Sequence, residues 1–122
     1  MKFKSLNKST EFTKILRKKK LNTKYFTIYF DDNSIDSKKK LNKYLNISFV
    51  MQKKVGNAVT RNKIKRKLKY AVQKILKEKR PIDLSRTYVI FGKNNIYKDK
   101  FALVLDEVNK TFNKIKQINY QT

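Results

Sequence analysis

The segment of residues 53–69 most constrains the fold of this chain, because it combines high positive charge with apolar residues at helical spacing. Eight of its 17 residues are lysine or arginine, and none is acidic. A turn is predicted at Gly56, and a helix of about six turns is predicted from near Asn57 to a point before Pro81. The helix carries one apolar stripe, formed by Ile64, Leu68, Ala71, Val72 and Ile75.

A polar band lies beside this stripe on the helical wheel and consists of Arg61, Asn62, Lys65, Arg66 and Lys69. Solvated helix faces usually mix charges of both signs, whereas residues 37–77 contain 14 lysines and arginines and no acidic residue. We therefore favour a surface that binds phosphate over a face that is merely solvated. Arginine adds bidentate phosphate contacts and asparagine can bond a 2′-hydroxyl, which suits folded RNA.

The composition limits the class of protein. The chain has 122 residues, of which 39% are hydrophobic, and this suits one small core in one domain. The formal charge of +23, from 32 basic and nine acidic residues, favours a polyanionic partner. An anionic membrane surface is the alternative, but the apolar stripe is better used in a core. We therefore predict a single domain at 1–122 that binds nucleic acid and no membrane.

The available side chains do not favour catalysis by this chain. Histidine and cysteine are both absent, which removes the usual general base, the thiolate nucleophile and the best transition-metal ligands. Asp31, Asp32 and Asp36 cluster among lysines, where a solvated turn is favoured over a two-metal nuclease site. We expect no catalytic residues in the protein. The absence of cysteine, of a signal sequence and of a long apolar run predicts a cytoplasmic location.

The N-terminal part of the chain predicts a helix behind a basic lead-in at residues 1–8. Ser9 can cap this helix, and the cationic run 17–20 suits its C-terminal end. Its apolar face would consist of Phe12, Ile15 and Leu16.

Two strands are predicted before the basic helix. Residues 25–30 and 45–51 both alternate with period two, and the two strands most simply pair as a hairpin. The polar stretch 31–43 would be a mobile connection between them. In the first strand, the side chains predicted to face the core are Phe26, Ile28 and Phe30.

The C-terminal part predicts a strand and a closing helix. Residues 87–91 form the most apolar run, and Gly92 ends it. The closing helix is indicated by residues at helical spacing, namely Tyr97, Phe101, Val104, Leu105, Val108, Phe112 and Ile115. The fold class is therefore α+β, a single-domain α-β-β-α-β-α sandwich with a small sheet and packed helices.

The basic segment has the sequence KKVGNAV at 53–59, RNK at 61–63 and KR at 65–66. This order closely resembles the signature of the bacterial ribonuclease P protein subunit, and the order of elements and the length agree over nearly the whole chain. The resemblance implies an endoribonuclease whose large RNA subunit removes the 5′ leader from precursor tRNA with magnesium. The protein would help bind substrate and metal. A left-handed crossover around the basic helix is also implied, against the usual hand.

The resemblance implies two sets of site residues. The first would bind the catalytic RNA subunit and comprises Lys54, Asn57, Arg61, Asn62, Lys63, Lys65, Arg66 and Lys69. The second would border a groove for the single-stranded leader and comprises Phe12, Leu16, Tyr29, Val50 and Lys53. Metal-ligand positions stay unknown, and no obligate protein partner is inferred.

Some positions depart from the family pattern, and other functions stay open. Lys63 stands where arginine is common, Gln52 replaces a frequent serine, and Leu16 occupies a position that is often aromatic.

The first alternative is a ribosomal or other structural RNA-binding protein, which shares the small size and basicity. A helix-turn-helix DNA-binding protein is disfavoured, because the basic helix follows a strand and has no short helix before it.

Overall fold

A computed structural model describes residues 2–4, 14–31, 44–78, 82 and 86–118. Within these residues the strands are β1 (Lys2–Lys4), β2 (Lys19–Asn22), β3 (Phe26–Phe30), β4 (Tyr44–Val50) and β5 (Thr87–Gly92). They form one sheet in the order β1-β4-β5-β3-β2. The strand β5 lies at the centre and pairs parallel with β4 and antiparallel with β3. The outer strand β1 pairs parallel with β4, and β2 pairs antiparallel with β3.

The basic segment forms a short 3-10 helix at Lys53–Val55 and then the helix α1 at Ala58–Lys77. Asn57 caps α1, since its side chain accepts a hydrogen bond of 2.9 Å from the Thr60 amide. The predicted helix start is therefore confirmed, whereas Pro81 lies outside the described residues. Two further helices follow β5, the single turn α2 (Asn95–Lys98) and the long helix α3 (Phe101–Ile118).

The main core lies between one face of the sheet and the helices α1 and α3. All five residues of the predicted apolar stripe on α1 are buried, and so are Phe26, Ile28 and Phe30 on β3. Tyr88 of β5 contacts Phe112 of α3 edge to face, with ring centroids 5.1 Å apart. Burial of one large apolar side chain contributes about 1.5–3 kcal/mol, so this layer supplies most of the stabilisation.

A glycine lets α1 approach the sheet closely. A Cβ atom added to Gly92 would lie 2.9 Å from Ile64 Cγ2 and 2.7 Å from Met51 Sδ, closer than side chains normally come. Gly92 ends the apolar run of β5. The first turns of α1 can therefore pack directly on the end of the central strand.

The predicted hairpin of the first two long strands is wrong, because β5 lies between β3 and β4. The physical reason is that β5 is the most apolar strand, with Tyr88, Val89 and Ile90 fully buried, and the central position of a sheet is the best buried. The structure also differs from the prediction of a basic lead-in at residues 1–8, because Lys2–Lys4 form a strand that pairs with β4. Of the connection 31–43 only Asp31 is described, so its mobility stays a prediction.

The ends of two predicted helices differ as well. Lys14 and Ile15 are helical, but the run 17–20 turns directly into β2, while Ser9 lies outside the described residues. The closing helix is interrupted between α2 and α3, and Tyr97 is 42% exposed rather than part of the buried face. The interruption is stabilised by Lys67, whose ammonium group donates to two carbonyl oxygens of this turn, Ile96 O at 2.8 Å and Asp99 O at 2.6 Å.

The architecture confirms the predicted α+β class. The parallel strands β4 and β5 are joined through α1, as the predicted crossover requires. The hand of this crossover stays a prediction. Among the described residues, none of the helices is long and apolar enough to cross a membrane.

Candidate nucleic-acid interface

The start of α1 is fixed by glycine geometry and by a side-chain hydrogen bond from the loop after β5. Gly56, where a turn is predicted, has φ of 156°, a conformation that other residues rarely adopt. Asn94 Nδ2 donates to Val55 O at 2.7 Å. These features hold the exposed residues Lys53, Lys54 and Asn57 just before the basic helix.

A second polar cluster joins the turn before β3 to the turn between α2 and α3. The Tyr25 hydroxyl donates to Asp99 Oδ2 at 2.5 Å, and Lys24 Nζ lies 3.5 Å from the same oxygen. The hydrogen bond to Asp99, with burial, raises the pKa of Tyr25 to about 12. The same hydrogen bond and the nearby charges of Lys24 and Lys67 hold the pKa of Asp99 below its ordinary value of 3.8.

One flank of α1 forms a cationic groove with the end of β4. The groove has a volume of about 250 Å³ and is lined by Phe49, Met51, Ala58, Arg61, Asn62 and Lys65. The Nε–H group of Arg61 is buried and has no hydrogen-bond partner among the described residues.

The other predicted residues of the basic helix lie outside this groove. Lys63 is on the opposite flank, where its Nζ atom lies 5.6 Å from the ring centroid of Tyr97. Arg66 and Lys69 are exposed. The predicted band is thus confirmed as exposed or half-buried, but only Arg61, Asn62 and Lys65 meet in one groove.

The sheet face opposite the main core carries an aromatic pair. Tyr29 of β3 and Phe91 of β5 contact edge to face, with ring centroids 5.5 Å apart. Val50 is the register partner of Phe91, and Lys20 Nζ lies 6.0 Å from the ring centroid of Tyr29. Tyr29, Val50 and Phe91 are all half-buried. We call Lys20, Thr27, Tyr29, Val50 and Phe91 the second sheet face.

The structure thus unites two of the predicted leader-groove residues, Tyr29 and Val50, on the second sheet face. Leu16 is 39% exposed in the turn before β2, and Phe12 lies outside the described residues. Sequence reasoning did not single out Phe91. Alternation along β5 could have placed its side chain opposite Tyr88 and Ile90, but not beside Tyr29, because the strand order was unknown.

The described residues show no group of three or more histidine, cysteine, aspartate or glutamate side chains that could hold a metal ion. Cationic and amide side chains dominate the groove instead, and these donate hydrogen bonds to anions.

Fold and site together define a class of small, basic α+β proteins in which a cationic helix packs on a mixed sheet. Comparison with known proteins specifies the family. A family model described as Ribonuclease P matches residues 1–116. The "Ribonuclease P protein component" of Mesoplasma florum is 33% identical over 111 residues, covering 88% of this chain and 90% of the relative. The protein of the same name from Mycoplasma mycoides subsp. mycoides is 30% identical over 112 residues, covering 91% of this chain and 94% of the relative.

Solved structures support the same assignment at the level of the fold. The RNase P protein from Thermotoga maritima superposes with a TM-score of 0.69 at 21% identity, covering 91% of this chain and 96% of that one. The Staphylococcus aureus RNase P protein gives a TM-score of 0.67 at 19% identity, covering 93% of this chain and 95% of that one. This chain belongs to the ribonuclease P protein family.

The Tyr25–Asp99 hydrogen bond predicts how stability depends on pH. Because the pKa of Asp99 is lowered, its contribution is present above about pH 4 and is lost as the pH falls through the lowered pKa. Because the pKa of Tyr25 is raised, its contribution is present below pH 10 and is lost as the pH rises through about 12. Tyr25→Phe should therefore lower the melting temperature at neutral pH, and the difference from the wild type should shrink at both extremes.

Thermal unfolding followed by circular dichroism at a series of pH values measures this difference. Tyr97→Phe is a suitable control, because it removes a hydroxyl from a half-exposed ring nearby. A difference between wild type and Tyr25→Phe that stays constant with pH would contradict the assigned hydrogen bond.

Proposed function

We propose that this chain is the protein subunit of ribonuclease P and that α1 binds the RNA subunit of that enzyme. The groove of Arg61, Asn62 and Lys65 is the observation that carries the proposal. It gathers the cationic side chains of Arg61 and Lys65 and the amide of Asn62, and these groups can donate hydrogen bonds to phosphate oxygens. The name shared by the relatives, "Ribonuclease P protein component", agrees with this role.

The surroundings of the groove favour an extended polyanion over a single small anion. The 3-10 helix places exposed Lys53 and Lys54 before α1, and Arg66 and Lys69 are exposed farther along it. The first turn of α1 contains no acidic residue, so its amide dipoles also favour negative charge. A folded RNA can span these positions with successive phosphates, and its binding would relieve the repulsion within a chain of net charge +23.

In this proposal the RNA subunit performs the cleavage of the precursor tRNA, and the protein supports binding. The chain contains no histidine or cysteine, and its few carboxylates form no cluster of three within the described residues. The donor set therefore does not fit a magnesium ion held by the described part of the protein alone, because Mg²⁺ prefers carboxylate oxygens. Magnesium used by the holoenzyme would be held by RNA phosphates. A cysteine-free chain suits the reducing cytoplasm, where we place this function.

The second sheet face is the proposed site for the 5′ leader of precursor tRNA. Single-stranded nucleic acid stacks its bases on aromatic rings beside cations, and Tyr29, Phe91 and Lys20 supply these groups. Val50 lies on this face, while its neighbours Phe49 and Met51 line the groove of α1. The end of β4 thus joins the two proposed binding surfaces through consecutive residues.

Reconstitution of the holoenzyme tests the proposed function. The purified protein, added to the matching RNA subunit at low magnesium, should accelerate cleavage of the 5′ leader from precursor tRNA. The RNA alone and the protein alone serve as controls. Absence of stimulation, together with equal affinity for unrelated structured RNAs, would favour the alternative of a ribosomal or other structural RNA-binding protein.

Arg61→Ala should weaken assembly with the RNA subunit, because it removes the central phosphate contact of the groove. A hydrogen bond to a charged group contributes about 1.5–3 kcal/mol, so the dissociation constant should rise about 10- to 150-fold. The slope of log K against log salt should fall by about 1. Filter binding across salt concentrations measures both. Lys114→Ala on α3 removes the same charge and is the matched control; an equal effect of both variants would count against a specific contact.

Tyr29→Ala should weaken binding of precursor tRNA by the holoenzyme and leave mature tRNA unaffected, because only the precursor carries the leader. One base stacked on an aromatic ring contributes about 1–3 kcal/mol, so a loss of about 5- to 150-fold is expected. Tyr29→Phe keeps the ring and should restore most of the affinity. Equilibrium binding to tRNA with and without the leader provides the measurement. Equal losses for both RNAs would refute a leader site on this face.

A further inference from the structure

A separate groove lies on the side of α1 that faces α2 and α3, away from the second sheet face. It is lined by Arg66, Lys67, Tyr70 and Phe101 and has a volume of about 310 Å³. We propose that this groove binds an unpaired nucleotide of the RNA subunit, with its base against Tyr70 and its phosphate at Arg66. This inference rests on the proposed function, because it adds a second contact to the same RNA.

The floor of the groove is aromatic and held in place. Tyr70 of α1 and Phe101 of α3 contact edge to face, with ring centroids 6.1 Å apart and an interplanar angle of 86°. Phe101 packs against the main core, whereas Tyr70 is 69% exposed. A tyrosine exposed to this extent contributes little to the core, but its ring face is available for stacking. The helix pair thus presents one supported aromatic surface to solvent.

Two of the residues that line the groove, Arg66 and Lys67, carry a positive charge at the end of an apolar stem. Arg66 is exposed, and a guanidinium group can bind a phosphate with two parallel hydrogen bonds or stack on a base. Lys67 is fixed differently, since its ammonium group donates to Ile96 O and Asp99 O. It therefore adds positive charge at a constant position. Aromatic rings with cationic side chains beside them are the combination that binds unpaired nucleotides.

The size and position of the groove specify the occupant. A volume of about 310 Å³ is at the lower end for ligand pockets and suits one base rather than a helical peptide. Tyr70 lies one turn after Arg66, on the exposed side of the helix that is proposed to bind the RNA subunit. The leader is proposed to bind on the opposite face of the sheet. An unpaired nucleotide of the RNA subunit is therefore favoured over one of the substrate.

Tyr70→Ser should raise the dissociation constant of the complex with the RNA subunit about 5- to 150-fold, since one stacked base is lost. Tyr70→Phe keeps the ring and should stay near the wild type. Leu103→Ser is the matched control, because Leu103 is 51% exposed on α3 and does not line the groove. Chemical probing of the RNA subunit should show one unpaired nucleotide that the wild type protects and the Tyr70→Ser protein does not.

The outcomes separate this proposal from the proposed function. If Arg61→Ala weakens assembly while Tyr70→Ser and Leu103→Ser both leave it unchanged, the nucleotide site is refuted and the role of α1 stands. If Tyr70→Ser weakens only the binding of precursor tRNA, the assignment to the RNA subunit is wrong. If the wild type does not bind the RNA subunit in preference to unrelated RNA, both proposals fail. Thermal unfolding of each variant identifies a loss that comes from misfolding.

Discussion

The packing of α1 on the sheet is the interaction on which the rest of the structure depends. The helix carries eight lysines and arginines and no acidic residue in Ala58–Lys77, so its charges repel one another. Burial of one apolar stripe must outweigh this repulsion, and the stripe is fully used, from Ile64 to Ile75. Gly92 allows the first part of the stripe to reach the central strand. The charged side chains are thereby held on a rigid support rather than on a flexible tail.

The end of β4 explains how one small sheet presents two different surfaces. Successive side chains of a strand point to opposite faces, so Phe49 and Met51 line the groove of α1 while Val50 lies beside Phe91 on the other face. The 3-10 helix follows at once and is held by the Asn94 hydrogen bond to Val55. A displacement of this short segment would therefore change both surfaces together, so the geometries of the two surfaces are coupled.

Local patterns in the sequence predicted much of the fold. The buried stripe of α1, its start at Asn57 and the core side of β3 depend on periodicity and capping, which act within a few residues. The strand order could not be predicted in this way. Pairing of β5 with both β3 and β4 joins segments distant in sequence, and the hairpin was only the simplest choice. The break before α3 was missed for the same reason, since Lys67 stabilises it from another helix.

The cations on the described residues include two groups that composition cannot separate. Some serve the fold: Lys67 binds two carbonyl oxygens, Lys93 donates to Asn22 Oδ1 at 2.6 Å, and Arg86 is fully buried against the ring of Phe30. Others, such as Arg61 and Arg66, line open grooves. A buried cation needs its partners within the protein, whereas a cation in a groove can exchange water for phosphate. The net charge alone therefore overstates how much of the positive charge on the described residues is open to an anion.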